Sequence, residues 1–168
     1  MKSNTLWLTF VFCCVLVNIG LVSIQAAELN TQSHHQQNFV LKDTAGKKHQ
    51  LSDYKGKWVI VNYWATWCPP CLEEVPDLVT LYDSRKNKDL VVIGVVLDYK
   101  DDQEVATYVD DMLMSYPIVL GDESVTKQIG PADVLPTSFI YSPQGKLIKT
   151  KRGKVTKDYL EKLMSQKS

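Results

Sequence analysis

Two cysteines two residues apart, Cys68 and Cys71, stand where an apolar run gives way to a helical pattern, and this junction constrains the fold more than any other stretch. Upstream, Trp58 to Ala65 is nearly all apolar, as expected of a strand covered on both faces in a parallel or mixed sheet. Asn62 is its interior polar member. Downstream, Pro69 suits the first position of a helix, where a missing N–H costs nothing, and this makes Cys68 the N-cap. Glu73 and Glu74 fall in the first turns and favour the helix dipole. Cys71, Val75, Leu78, Val79 and Tyr82 recur at helical spacing and predict the buried stripe, while Pro76 predicts a kink.

The same alternation of elements continues along the chain. Phe39-Val40-Leu41 and Lys47 to Leu51 flank the turn residues Asp43 to Gly46 and predict a small N-terminal hairpin. Leu90 to Leu97 is a second buried strand. Asp101 to Glu104 opens a helix with Val105, Tyr108, Val109 and Met112 as its stripe. Ile118-Val119-Leu120 is a brief strand and Ser124 to Gly130 a short helix. Thr137 to Tyr141 alternates as a strand, and Lys146 to Lys149 returns antiparallel after the turn Pro143-Gln144-Gly145. Thr156 caps a last helix with Leu160 and Leu163 inside. Strands alternating with helices and closing in a hairpin and a helix predict an α/β fold with a mixed central sheet flanked by helices.

Residues 1–27 stand apart. Lys2 precedes an apolar run from Leu6 to Val17, and a more polar exit leads to Ala26-Ala27, as in a secretory signal with a small-residue cleavage site. The alternative is an uncleaved membrane anchor, because Leu6 to Ile24 approaches the length of roughly 17–25 residues that spans a bilayer. Either way the domain is exported. Residues 28–37, with His34 and His35, form a polar and flexible lead-in, so residues 38–168 are the folded domain. The whole chain balances 19 basic against 19 acidic residues, which gives no footprint for nucleic acid.

Cys13 and Cys14 lie inside the export segment, which leaves only Cys68 and Cys71 in the mature domain. Two cysteines cannot supply the four ligands of a structural zinc site, so no metal is expected. A structural bridge across so short a loop gains little from chain entropy. Redox exchange is the better use of the pair. The attacking species is a thiolate, and at the helix N-cap Cys68 meets exposed N–H groups that favour negative sulfur. Cys71 lies one turn further in and resolves the mixed disulfide, with Pro69 and Pro70 stiffening the pair. The resolving thiol must give up a proton. Glu74, three residues on, shares its face of the helix, whereas Glu73 points elsewhere. The plainer alternative is that both glutamates face solvent.

The sequence Trp67-Cys68-Pro69-Pro70-Cys71 after Val61-Asn62-Tyr63-Trp64-Ala65-Thr66, with Glu74, Pro76 and the distant Leu135-Pro136-Thr137, resembles the thioredoxin superfamily. Within it, the resemblance is to the exported TlpA/ResA/DsbE-like thiol-disulfide oxidoreductases, and it runs from about Phe39 to the C-terminus. It implies a thioredoxin-like fold with an extra N-terminal hairpin, a reversible Cys68–Cys71 disulfide, and no cofactor. Pro136 matches the family's cis-proline, whose backbone holds substrate in strand fashion. Trp67, Pro69, Pro70, Leu135 and Thr137 are then the surrounding substrate-binding residues. Glu74 matches the acid that this exported subgroup keeps beneath its active site, and Asn62 stands where thioredoxin itself has a buried aspartate. The implied setting is the periplasm. Exported cysteine-containing proteins are the substrates there, including apocytochrome c in cytochrome c maturation, and a membrane thiol-disulfide protein is the electron donor.

Three other functions compete. A disulfide oxidase or isomerase would use the same cysteines with the equilibrium reversed. A peroxidase of the same fold would want a proline and a hydroxyl residue where Val61 and Ala65 stand, and neither offers a polar group to position peroxide. A non-enzymatic binding module or chaperone would keep the Pro136 groove without needing an intact cysteine pair.

Overall fold

The computed structural model describes residues 38–166. The expected export segment, with Cys13 and Cys14, and the whole of the lead-in, with His34 and His35, therefore lie outside the described residues. The elements are β1 (Val40–Lys42), β2 (Lys48–Gln50), a 3-10 turn (Leu51–Tyr54), β3 (Trp58–Trp64), α1 (Pro69–Arg85) and β4 (Leu90–Val96). They continue as α2 (Asp102–Asp111), β5 (Ile118–Leu120), α3 (Glu123–Ile129), β6 (Thr137–Tyr141), β7 (Leu147–Arg152) and α4 (Lys157–Gln166). The five-stranded sheet runs β5-β4-β3-β6-β7, and β1-β2 forms a separate two-stranded sheet. β3, β4 and β5 are mutually parallel, whereas β6 is antiparallel to both β3 and β7, so the central sheet is mixed as expected.

Side chains alternate across a strand, so every residue of the apolar β3 enters one of two cores. Trp58, Ile60 and Trp64 pack with Cys71, Val75, Leu78 and Leu81 of α1, Val105 of α2, and Leu160 and Met164 of α4. Val59, Val61 and Tyr63 face the other way, toward Phe39, Leu41 and Leu51 of the hairpin region and Val125 and Ile129 of α3. Each fully buried aliphatic side chain contributes about 1.5–3 kcal/mol, so the two faces of this one strand organise much of the domain's stability.

The helix stripes depart from expectation in detail. In α1, Leu81 is fully buried, while Val79 and Tyr82 only pack against the core. Leu81 and Tyr82 both follow Leu78 by one turn. The aliphatic chain takes the interior, and Tyr82 lies at the margin, edge-on to Tyr116 with ring centroids 6.1 Å apart. In α4, Met164 replaces Leu163 inside. Met112 follows the end of α2, and of that stripe only Val105 is wholly buried. Pro76 lies on the exposed side of α1, which runs unbroken through it. β6 is buried at all five residues despite its alternating composition, because each of its faces meets one of the two cores. β7 extends to Arg152, three residues past the expected Lys149.

The hairpin carries a buried histidine that the sequence pattern did not single out. His49 bonds Asp43 Oδ2 through Nε2 at 2.8 Å and the Tyr54 hydroxyl through Nδ1 at 2.5 Å. These two bonds clasp the turn of the hairpin to the 3-10 turn behind it.

Candidate active site

β3 ends at Trp64, and its parallel partner β4 ends opposite it at Val96, so the chain leaves both strands at the same edge of the sheet. The turn after β3 carries the cysteines. Cys68 is the N-cap of α1, in extended backbone, with Pro69 and Pro70 opening the helix. Its carbonyl accepts from Cys71 N at 3.0 Å and Leu72 N at 3.3 Å, which fixes the first turn. Cys68 and Cys71 are joined as a disulfide with their Cα atoms 5.3 Å apart. Both cysteines are buried, but Cys68 keeps 4% of its surface exposed and Cys71 none, so Cys68 is the one that reaches the protein surface.

The loop around them is fastened. Thr66, buried, donates from Oγ1 to Glu104 Oε1 at 3.0 Å, and the other oxygen of Glu104 accepts from Lys100 N. Trp67 is 60% exposed, yet its Nε1 donates to the Asp98 carbonyl at 2.9 Å. Asp98 has φ of 51°, a left-handed conformation that short polar residues tolerate. The indole is thereby held outward as a fixed apolar surface beside exposed Pro69 and Pro70.

The Leu135–Pro136 peptide bond is cis, and β6 begins immediately after it. Tyr63 pairs with Thr137 across the antiparallel ladder, so Pro136 falls opposite Trp64, four residues before Cys68. Leu135 is half-buried, and Val134 beside it is exposed. Thr137 is buried and its hydroxyl donates to the Val134 carbonyl at 2.6 Å. Its side chain therefore shapes the proline loop from within, and its backbone is paired with Tyr63 on one side and Arg152 on the other.

Glu74 is the most informative side chain. It is wholly buried, on the same face of α1 as Cys71, whereas Glu73 faces solvent and pairs with Lys154 at 2.7 Å. Asn62 donates from Nδ2 to Glu74 Oε1 at 2.7 Å, and Val155 N donates to Oε2 at 2.7 Å. Asn62 also donates to Ser138 Oγ at 3.0 Å. The two residues are cross-strand partners in β3 and β6. Burial disfavours the carboxylate and pushes the Glu74 pKa up to about 7, against the opposing pull of Val155, Asn62 and the charges of Lys151 and Lys154. A carboxyl poised near neutrality can take a proton and return it.

Sequence reasoning missed Ser138, Thr66, Glu104 and Val155. Ser138 carried a weak signal as a hydroxyl inside an apolar strand, and Val155 carried none, since it contributes a backbone N–H. Among the described residues, no group of three or more His, Cys, Asp or Glu side chains is placed to hold a metal ion.

The profile of the AhpC/TSA family matches residues 33–150. The thiol-disulfide oxidoreductase ResA of Bacillus thuringiensis subsp. konkukian is 37% identical over 131 residues, covering 77% of this chain and 74% of that protein. The ResA of Bacillus subtilis is 33% identical over 128 residues, covering 76% of this chain and 71% of its own length. The crystal structure of StoA from Bacillus subtilis superposes with a TM-score of 0.64 at 28% identity, over 74% of this chain and 94% of that one.

Proposed function

We propose that this chain, a thiol-disulfide oxidoreductase of thioredoxin-like fold that belongs to the AhpC/TSA family, reduces disulfides of exported proteins through Cys68. The observation that carries the mechanism is the arrangement of one cysteine that just reaches the surface and one wholly buried, with the neutral-poised Glu74 on the helix face below them. Cys68, as thiolate at the start of α1, attacks one sulfur of a substrate disulfide. An S–S bond forms between Cys68 and the substrate as the substrate's own S–S bond breaks, releasing one substrate thiolate. Cys71 then passes its proton to Glu74 and attacks the Cys68 sulfur, which frees the second substrate thiol and leaves the Cys68–Cys71 disulfide. Two electrons have moved to the substrate, and a dithiol donor must return two to the protein.

Substrate is held in this scheme by the backbone at Leu135–Pro136 and by the apolar surface of Trp67, Pro69 and Pro70. The exposure of the tryptophan and both prolines supports that role. The finer setting is a periplasmic domain released from, or anchored by, residues 1–27, fed by a membrane thiol-disulfide protein and serving apocytochrome c cysteines. It rests on the export-type N-terminus and the resemblance of the motif. A disulfide oxidase uses the same atoms in reverse. Peroxide reduction is disfavoured, because Val61 and Ala65 are both apolar and fully buried.

Trapping tests the division of labour. Reduced Cys71→Ser protein mixed with a disulfide-bonded protein substrate should accumulate a mixed disulfide on Cys68, and Cys68→Ser protein should accumulate none. Equal trapping by both variants, or none by Cys71→Ser, would overturn the assignment.

A further inference from the structure

Four consecutive residues at the end of β7 each reach a different part of the site. Arg152 pairs with Asp133 of the proline loop, Nη2 to Oδ2 at 3.3 Å. Gly153 N donates to the Pro136 carbonyl at 2.8 Å. Lys154 Nζ donates to Glu73 Oε2 at 2.7 Å, and Val155 N donates to Glu74 Oε2 at 2.7 Å. Gly153 has φ of 78°, in the left-handed region that favours glycine, so the bend that aims these donors in separate directions would strain another residue.

We propose that Arg152, Gly153, Lys154 and Val155 form a strap of positioning residues, tying the carboxyl of Glu74 to the backbone at Leu135–Pro136 so that a change at either end is felt at the other. This deepens the function proposed above and rests on the roles given there to Glu74 and Pro136. The physical basis is the difference between the two states of Glu74. Ionised, its Oε2 accepts a charge-assisted bond from Val155 N–H; protonated, it accepts a weaker one. Proton uptake from Cys71 therefore slackens the strap at one end, and Gly153, two residues away, holds the other end on Pro136. By linkage, a substrate that displaces the proline backbone changes the proton affinity of Glu74 by the same factor that protonation changes substrate affinity. The other groups around Glu74 are fixed on separate elements: Asn62 on β3 and through it Ser138 on β6, Lys151 on β7, and the buried Tyr116 before β5. Asn62 reaches Pro136 only through Ser138 and the backbone of β6, whereas among the described residues the strap alone bonds both the Glu74 carboxyl and the Pro136 carbonyl directly.

Two variants of the full-length oxidised protein test this, read by the carbon-13 carboxyl titration of Glu74, with Glu74→Gln to assign the signal. Val155→Pro removes the N–H and should raise the Glu74 midpoint by about one pH unit, the shift expected on losing a charge-assisted hydrogen bond. Glu73→Gln combined with Asp133→Asn releases both side-chain anchors at exposed positions that leave the core intact. Charge alone predicts that losing two nearby negative groups lowers the Glu74 midpoint; a loosened strap raises it. An upward shift in the double variant supports the strap. A fall or no change in it, or an unmoved midpoint in folded Val155→Pro, would overturn it. The readout needs no turnover, so a wild-type protein inactive on disulfides would sink the proposed function while leaving this result standing.

Discussion

Replacing Glu74 by Gln should stabilise the oxidised protein at alkaline pH and do progressively less as pH falls. Folded Glu74 has a pKa of about 7, against the ordinary value of 4.5 that applies when the chain is unfolded. Below pH 4.5 both states hold the proton and the group is neutral to stability. Between 4.5 and about 7 the folded state keeps the proton that the unfolded state has lost, so stability falls as pH rises. Above about 7 the cost is complete. At 1.36 kcal/mol per pH unit the full difference is about 3 kcal/mol, and between pH 5 and pH 8.5 it is about 2.5 kcal/mol. Glutamine does not titrate. Its amide can still accept from one of Asn62 and Val155, and its NH2 faces the other donor, a cost that does not vary with pH. Urea unfolding of both oxidised proteins at pH 5 and 8.5 should thus show Glu74→Gln gaining about 2.5 kcal/mol on wild type across that interval. A difference between the two proteins that stays constant with pH would refute the raised pKa, and with it the case for Glu74 as the proton acceptor.

Gly94→Ala should destabilise the fold by about 1–3 kcal/mol in the same assay. A Cβ there would lie 3.0 Å from Ile118 Cδ1 and Tyr116 Cε2 and 3.1 Å from Trp64 Nε1, so three core side chains would have to move; unchanged stability would show that this packing yields. Trp67→Ala removes one hydrogen bond and an exposed ring, so stability should drop by only about 1 kcal/mol. Its KM for a folded protein disulfide should rise several-fold while its rate with glutathione disulfide holds; equal losses on both would remove Trp67 from the substrate surface.

The order of elements and the places of the two cysteines at the start of α1 were legible because they rest on local signals. An apolar run, a proline at the helix start and a two-residue cysteine spacing lie within some fourteen consecutive residues. Glu74 was legible for the same reason, being one helical turn from Cys71. The contacts that finish the site are of another kind. Asn62 meets Ser138 from 76 residues away, and Glu74 meets Val155 from 81. No periodicity within a segment reports which distant backbone N–H will turn toward a buried acid. The inward choice of Leu81 over Tyr82, and of Met164 over Leu163, was hidden for a related reason. Adjacent positions on a helix share nearly one face, and the shape of the opposing core decides between them. His49 is one polar residue of the return strand from Lys47 to Leu51, and no pattern within that strand reports that it bonds both Asp43 and Tyr54.

The direction of electron flow is tested most directly by the equilibrium potential of the Cys68–Cys71 pair, determined in glutathione or dithiothreitol redox buffers at pH 7. A reductase of exported disulfides requires a value well below the roughly −120 mV of a strong oxidant. A value near that figure would contradict the reductase assignment and make the protein a donor of disulfides.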